Sequence, residues 1–182
     1  MESTIYPEFG WMKERFKIIQ LNNEICEFDW TIQPKGSVPE HFHRDSDEYF
    51  KVLIGELTIK VKDKINIVKT GEALLIPKLT NHSVSNNSNE IVKCRVYFKP
   101  VADQGKFFQI LLFLNRINPN DGNALFKAMY ISEQMNYKEF STLQGGMKFM
   151  MNIFMSLFKL IAPIIGWKKL LKEYAARQQA NR

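Results

Sequence analysis

From about Glu24 to Phe98, hydrophobic and polar residues alternate with period two in short runs rich in Val, Ile, Phe and Thr, interrupted by Gly, Asn, Asp or Pro. Successive side chains of a strand point to opposite faces, so this pattern predicts a series of half-buried β-strands. ICEFDWTI sets Cys26, Phe28, Trp30 and Ile32 against Glu27, Asp29 and Thr31. GELTIKV sets Leu57, Ile59 and Val61 against Glu56, Thr58 and Lys60, and KDK at 62–64 reads as a hairpin turn into INIV. GEALLIP, 71–77, is a further short strand, and IVKCRVYF sets Val92, Cys94, Val96 and Phe98 against Lys93, Arg95 and Tyr97. Many short antiparallel strands at close spacing predict a mainly β fold, a sandwich or barrel.

After Pro100 the period changes. FFQILLFLNRI, 107–117, has too long an apolar run for the preceding strand style and predicts a helix ended by the turn INPNDGN. NALFKAMYISEQMNY predicts a second helix. MKFMMNIFMSLFKLIAPIIGW then places Met147, Met150, Met151, Phe154, Phe158, Ile161 and Ile165 at three- and four-residue spacing. Lys148, Asn152, Ser156 and Lys159 form a narrow polar stripe beside them. Pro163 and Gly166 should bend or end this helix, and WKKLLKEYAARQQ predicts a last, basic one. The chain thus divides into a β domain over residues 1–100 and a helical C-terminal extension over 101–182, expected to pack on the β domain or on a second subunit.

Composition changes the picture mainly through where the charge lies. The 182 residues carry a formal net charge of +6, yet residues 1–147 balance at 18 basic against 18 acidic. The excess belongs to residues 148–182, where Lys148, Lys159, Lys168, Lys169, Lys172, Arg177 and Arg182 face Glu173 alone. Cys26 and Cys94 are far apart and belong to no CxxC pattern, and MESTIYPEFGWMKERFK lacks the charged start and apolar run of a secretory signal. A reduced, cytoplasmic protein is the expectation. Between Lys148 and Lys168 lie 19 residues, just short of the ~20 needed to span a bilayer. Lys159 near their middle costs roughly 2.5–3.5 kcal/mol on insertion scales. Spanning is therefore not expected, and contact of the C-terminal helices with a membrane surface is a secondary reading behind packing. Nucleic acid is not an expected partner, since the basic residues follow a Met/Phe-rich helix and no helix-turn-helix pattern is present.

The chemistry concentrates in PEHFHRDSDEYF, residues 39–50. His41 and His43, two apart, would point into the same space from one strand, with Phe42 on the opposite face. Two converging imidazoles are a ligand pair awaiting further donors, and Glu48 on the following strand and His82 in LTNHSVSN are the candidates.

These residues resemble the cupin superfamily. Its first motif is matched by Gly36, His41, His43, Glu48 and Gly55, with four residues before the first histidine where five are usual. Its second is matched by Gly71, Pro77, His82 and Asn86, with Leu79 in place of the middle glycine. The resemblance covers residues 25–98, under half the chain. It implies a cupin fold, a double-stranded β-helix or jelly-roll-like barrel of antiparallel strands, here followed by C-terminal α-helices. It further implies that His41, His43, Glu48 and His82 hold a divalent metal ion, leaving open whether Fe, Mn, Ni, Zn, Co or Cu. A homodimer is the expected assembly of a single-domain member.

With Glu48 and His82 inward, period two carries Phe50, Val52 and Val84 inward too, and the apolar faces of the neighbouring runs add Phe28, Trp30, Val96 and Phe98 as pocket-lining candidates. Glu40 and Asp47 flank the motif as strand-end acids, and no catalytic residue stands out beyond the metal ligands. Three functions fit: a metal-dependent enzyme of oxygenase, isomerase or hydrolytic type on a small organic molecule, a non-catalytic module that binds or senses a small ligand, or a scaffold whose basic helical tail works at a membrane surface or on a protein partner.

Overall fold

The computed structural model describes residues 6–11, 13–119, 121–137, 142–143 and 145–180; Asn120 of the expected turn and Arg182 lie outside them. The alternating pattern resolves into β1 (Phe9–Trp11), β2 (Glu14–Leu21), β3 (Cys26–Ile32), β4 (Ser37–Phe42), β5 (Asp47–Ile54), β6 (Glu56–Val61), β7 (Lys64–Lys69), β8 (Ala73–Ile76), β9 (His82–Ser85) and β10 (Val92–Lys99). All pairings are antiparallel, in a six-stranded sheet ordered β1-β2-β3-β10-β5-β8 and a second containing β4-β9-β6-β7. The expected jelly roll is therefore built as two facing sheets, not as a cylinder closed by hydrogen bonds. A two-residue strand, β11 (Thr142–Leu143), joins the edge of the second sheet beside β4.

Burial follows the period. Cys26, Phe28, Trp30 and Ile32 of β3 are buried, as are Val92, Cys94, Val96 and Phe98 of β10, while the residues between them reach solvent. The outer face is held by pairs in register, the Arg95 guanidinium on the Asp29 carboxylate at 2.7 and 3.1 Å and Tyr49 stacked on Tyr97. Strands β1 and β2 extend the first sheet upstream of the strands expected from Glu24 onward, and β2 adds Glu14, Phe16 and Ile18 to the inner face.

Four helices follow: α1 (Ala102–Ile117), α2 (Ala124–Gln134), α3 (Gly145–Ile161) and α4 (Trp167–Ala180). Helix α1 begins five residues before its apolar run, because its first turn is polar, with Asp103 and Gln104. Phe108 fastens it to the first sheet, its ring 4.5 Å from Phe28, 6.1 Å from Phe16 and 6.5 Å from Phe98. Phe113 meets Tyr174 of α4, and Trp167 lies between Tyr130 of α2 and Phe158 of α3. No described helix is long and apolar enough to cross a membrane.

Candidate metal centre

The two sheets meet at the four residues that the motifs single out. His41 lies near the end of β4 and pairs across the ladder with His82, the first residue of β9, so their rings come to 4.3 Å. His43 falls just past the end of β4, and its ring stands 4.9 Å from His41 and 5.4 Å from His82. Glu48 reaches in from β5 of the opposite sheet. All four are buried, and one ligand atom from each lies within 4.8 Å of every other. Two donors on opposite sides of one ion stand about 4.2 Å apart, twice a ~2.1 Å bond, so the set is close to the size of a coordination shell.

The hydrogen bonds of His41 and His82 suit an ion. His41 Nδ1–H donates to Pro39 O at 2.8 Å and His82 Nδ1–H to Thr80 O at 2.9 Å, which turns both Nε2 atoms inward. Nε2 of His82 and of His43 converge on a single Glu48 oxygen, at 2.9 and 3.1 Å. His82 therefore sits between two acceptors. Without an ion it must carry two protons; with one, the cation takes the place of the inner proton and the Nδ1 bond fixes the tautomer.

Electrostatics point the same way. Burial first, and then the neighbouring His82, lowers the His41 pKa to about 4, so its imidazole is a neutral donor. Burial works against the Glu48 carboxylate, but the charge and hydrogen bond of His43, with His82, outweigh it and hold the acid below the ordinary range. Burial likewise opposes charge on His82, and the Glu48 carboxylate overcomes it, raising that pKa. Three imidazoles and a carboxylate suit a divalent first-row ion, and an octahedral shell would keep two positions for other ligands.

A cavity of about 530 Å³ opens on this cluster, and His41, His43 and Glu48 are part of its wall. Phe28, Trp30, Phe50, Val84 and Phe98 line it as the alternation predicts. Val52 and Val96, expected with them, do not. Each is fully buried: Val96 lies between Phe28 and Phe50 on the ladder, and Val52 sits against Cys94. Side chains this small on a wall of rings fill the core behind it.

Several wall residues come from outside the motif region. Glu14 projects from β2, Gln104, Phe107 and Phe108 from α1, Leu125 and Met129 from α2, and Met147 and Met151 from α3. Gln104 is buried with its amide nitrogen Nε2 2.6 Å from His43 Nδ1. In that orientation the amide N–H donates to Nδ1 and the ring proton sits on Nε2, facing Glu48; an ion bound at Nε2 would require the amide turned over so that its oxygen accepts Nδ1–H, so Gln104 belongs to the centre. No sequence signal marks it, since a glutamine in the first turn of a helix is unremarkable. Glu14 is 8% exposed, makes no hydrogen bond or ion pair through its carboxyl among the described residues, and is pushed by burial up to about 7. Its signal was present in the alternation ERFKI, where an acid takes an inward position.

The remaining acids and thiols are structural. Glu40 is exposed, and Asp47 accepts the Lys78 backbone N–H at 2.8 Å. Cys26 and Cys94 are buried, and burial pushes both thiols up, away from thiolate chemistry.

The family model described as "Cupin domain" matches residues 28–98. The chain is 41% identical over 69 residues to the "Uncharacterized protein YdbB" of Bacillus subtilis (strain 168), covering 37% of this chain and 52% of that protein. It is 32% identical over 68 residues to the "Tetracenomycin polyketide synthase protein TcmJ" of Streptomyces glaucescens, covering 37% and 44%. It thus spans about half the length of the curated relatives it matches. Among solved structures, KdgF from Halomonas sp. is similar with a TM-score of 0.50 at 15% identity, over 54% of this chain and 92% of that one. A likeness at that identity concerns the fold.

Proposed function

The chain is a member of the cupin superfamily through residues 28–98, and on that premise we propose that it is a metal-dependent enzyme acting on a small, largely apolar organic molecule, by oxygenase-type or isomerase-type chemistry. The observation that carries this reading is the shared wall: three of the four metal-ligand candidates line a cavity whose other walls are mostly aromatic and aliphatic. When bound, a divalent ion at His41, His43, Glu48 and His82 would supply a Lewis acid or a site for oxygen.

The chain's own residues divide the remaining work. Phe28, Trp30, Phe50, Phe98 and Phe108 offer ring faces to a flat substrate and keep water from it. Gln104, with its amide turned so that the oxygen accepts from His43 Nδ1–H, would hold that ring in the metal-binding tautomer. The Glu14 carboxyl, titrating near neutrality, is placed to give or take a substrate proton in the cavity. One relative is named for a polyketide synthase, and a polyketide-derived aromatic is a molecule of the kind these rings would stack on. The second reading, a binding or sensing module without turnover, draws on the small number of titratable groups in the wall: apart from the ligand candidates, only Glu14 and the rim residues Lys13 and Lys35.

The test is oxygen uptake and product analysis with metal-loaded protein against a panel of small phenols, thiols and diketones. Turnover by the wild type and its loss in Glu14→Gln at unchanged affinity support the enzyme. Saturable binding of panel members with no product in any reaction contradicts it and favours the module.

A further inference from the structure

Helix α3 meets the rest of the protein along one narrow stripe. At 100° per residue, Met151, Met155, Phe158 and Ala162 fall within a 60° arc, and these are its buried or half-buried positions. Lys148, Asn152, Ser156 and Lys159 occupy the next arc and are exposed. The rest of the circumference, about 160° wide, is apolar and open. Phe149, Ile153, Leu157 and Leu160 form one row along it and Met150, Phe154 and Ile161 a second, and Ile164 and Ile165 lie exposed in the turn that follows the helix. All nine are at least 41% exposed, Leu160 and Ile164 at 76% and 85%. Scattered surface apolar residues need no explanation, but nine contiguous on one face do.

We propose that this face docks the protein on an anionic lipid bilayer, with α3 lying in the plane of the interface. Charge selects the occupant. Residues 148–182 carry seven basic residues against one acid. Lys148 opens the apolar face, while Lys168 and Lys169 follow directly on Ile164 and Ile165 at its far end, all three exposed. Anionic headgroups complement such a frame, whereas a second copy docked on the same face would bring two such basic segments together. Length argues against spanning: 17 residues make a helix about 25 Å long, short of the ~30 Å hydrocarbon core. Pro163 and Gly166 end α3, and Gly166, at φ +81°, turns the chain into α4, whose exposed Lys172 and Arg177 extend the basic surface.

The same helix belongs to the cavity. Met147, 45% exposed, continues the second apolar row and also lines the cavity near exposed Ser37 and Pro39. Met147 thus belongs to both the docking face and the cavity wall, which would let a lipophilic molecule pass from one to the other; that clause alone rests on the proposed activity.

Vesicle flotation of the full chain tests the docking without reference to metal or turnover. Vesicles of phosphatidylcholine with about one third phosphatidylglycerol are compared with phosphatidylcholine alone, and sedimentation gives the oligomeric state without lipid. Wild type is expected to float with the anionic vesicles. Leu160→Glu/Ile164→Glu should lose tenfold or more of its partitioning, and Lys168→Glu/Lys169→Glu should lose roughly as much, on charge alone. Both pairs are exposed, so unchanged circular dichroism is expected. Wild type that floats with neither vesicle overturns the proposal. A dimer without lipid that Leu160→Glu/Ile164→Glu makes monomeric, with no flotation, assigns the face to a second copy instead.

Discussion

Glu14→Gln converts the buried acid of the cavity wall into a neutral group of the same size. Glu14 lies on the inner face of β2, opposite Ile32 on β3, with Trp11 of β1 as its partner on the other side of the ladder. Its carboxyl meets no cation, although Lys13 and Lys35 stand at the cavity rim. Burial raises its pKa from 4.5 to about 7. The folded protein therefore keeps a proton that the unfolded chain releases from pH 4.5 upward, and stability falls as pH rises through that window. At 1.36 kcal/mol per pH unit, ionised Glu14 costs about 3 kcal/mol above pH 7, a ceiling because water in the cavity screens the carboxylate. Glu14→Gln removes this cost. Urea and thermal unfolding of both proteins, metal-saturated, between pH 4 and 8 should show near-equal stability at the acid end. Toward pH 8 the variant should gain up to about 3 kcal/mol, or roughly 6–12 °C in Tm for a chain of this size. A stability difference that does not change with pH, or one largest at pH 4, would refute the reasoning.

Leu79 holds φ at +62° while its backbone N–H donates to His43 O at 2.7 Å. The side chain is 62% exposed, so Leu79→Gly should relieve left-handed strain at little packing cost and gain about 1 kcal/mol by urea unfolding. Asn86 is fully buried and donates to the carbonyls of Ile32, Gln33 and Glu90, at 3.1, 3.2 and 2.7 Å. Asn86→Ala should cost about 3 kcal/mol in the same assay, because several buried groups lose their partner at once. Gln104→Leu should weaken metal affinity roughly 10–100-fold in chelator competition while circular dichroism stays unchanged. Equal affinities would show that the amide does not orient His43.

The strands carrying the site were legible because each has one face buried, and alternation is the direct trace of that burial; β3 and β10 match it residue for residue. The ligand candidates were legible because HxH on a strand, a glutamate on the next and one distant histidine leave few other arrangements. The cavity was half legible. Alternation tells which side chains turn inward but not how far they reach, so Val52 and Val96 were expected beside Phe50 and Phe98 although both are buried short of the cavity. The helical wall was not legible. Whether Gln104, Met129 or Met151 meets the cavity depends on how helices dock on a sheet, a tertiary fact that leaves no local period. Nor did the Met/Phe-rich run announce its exposure, since an apolar face reads alike whether it is covered or open. The residue in the place of the motif's middle glycine, Leu79, does keep the left-handed backbone that a glycine would take without strain.

The central claim is that His41, His43, Glu48 and His82 hold one divalent ion. The most direct measurement is the metal content, by inductively coupled plasma mass spectrometry, of wild type, His41→Ala and His82→Ala. Each is loaded in turn with Fe(II), Mn, Ni, Co, Cu and Zn and then desalted, and circular dichroism confirms that the variants fold. Wild type should retain close to one equivalent of at least one metal, and either variant less than about a tenth of that, since each loses a buried donor. Wild type that keeps none of these metals, or variants that keep as much as wild type, would contradict it.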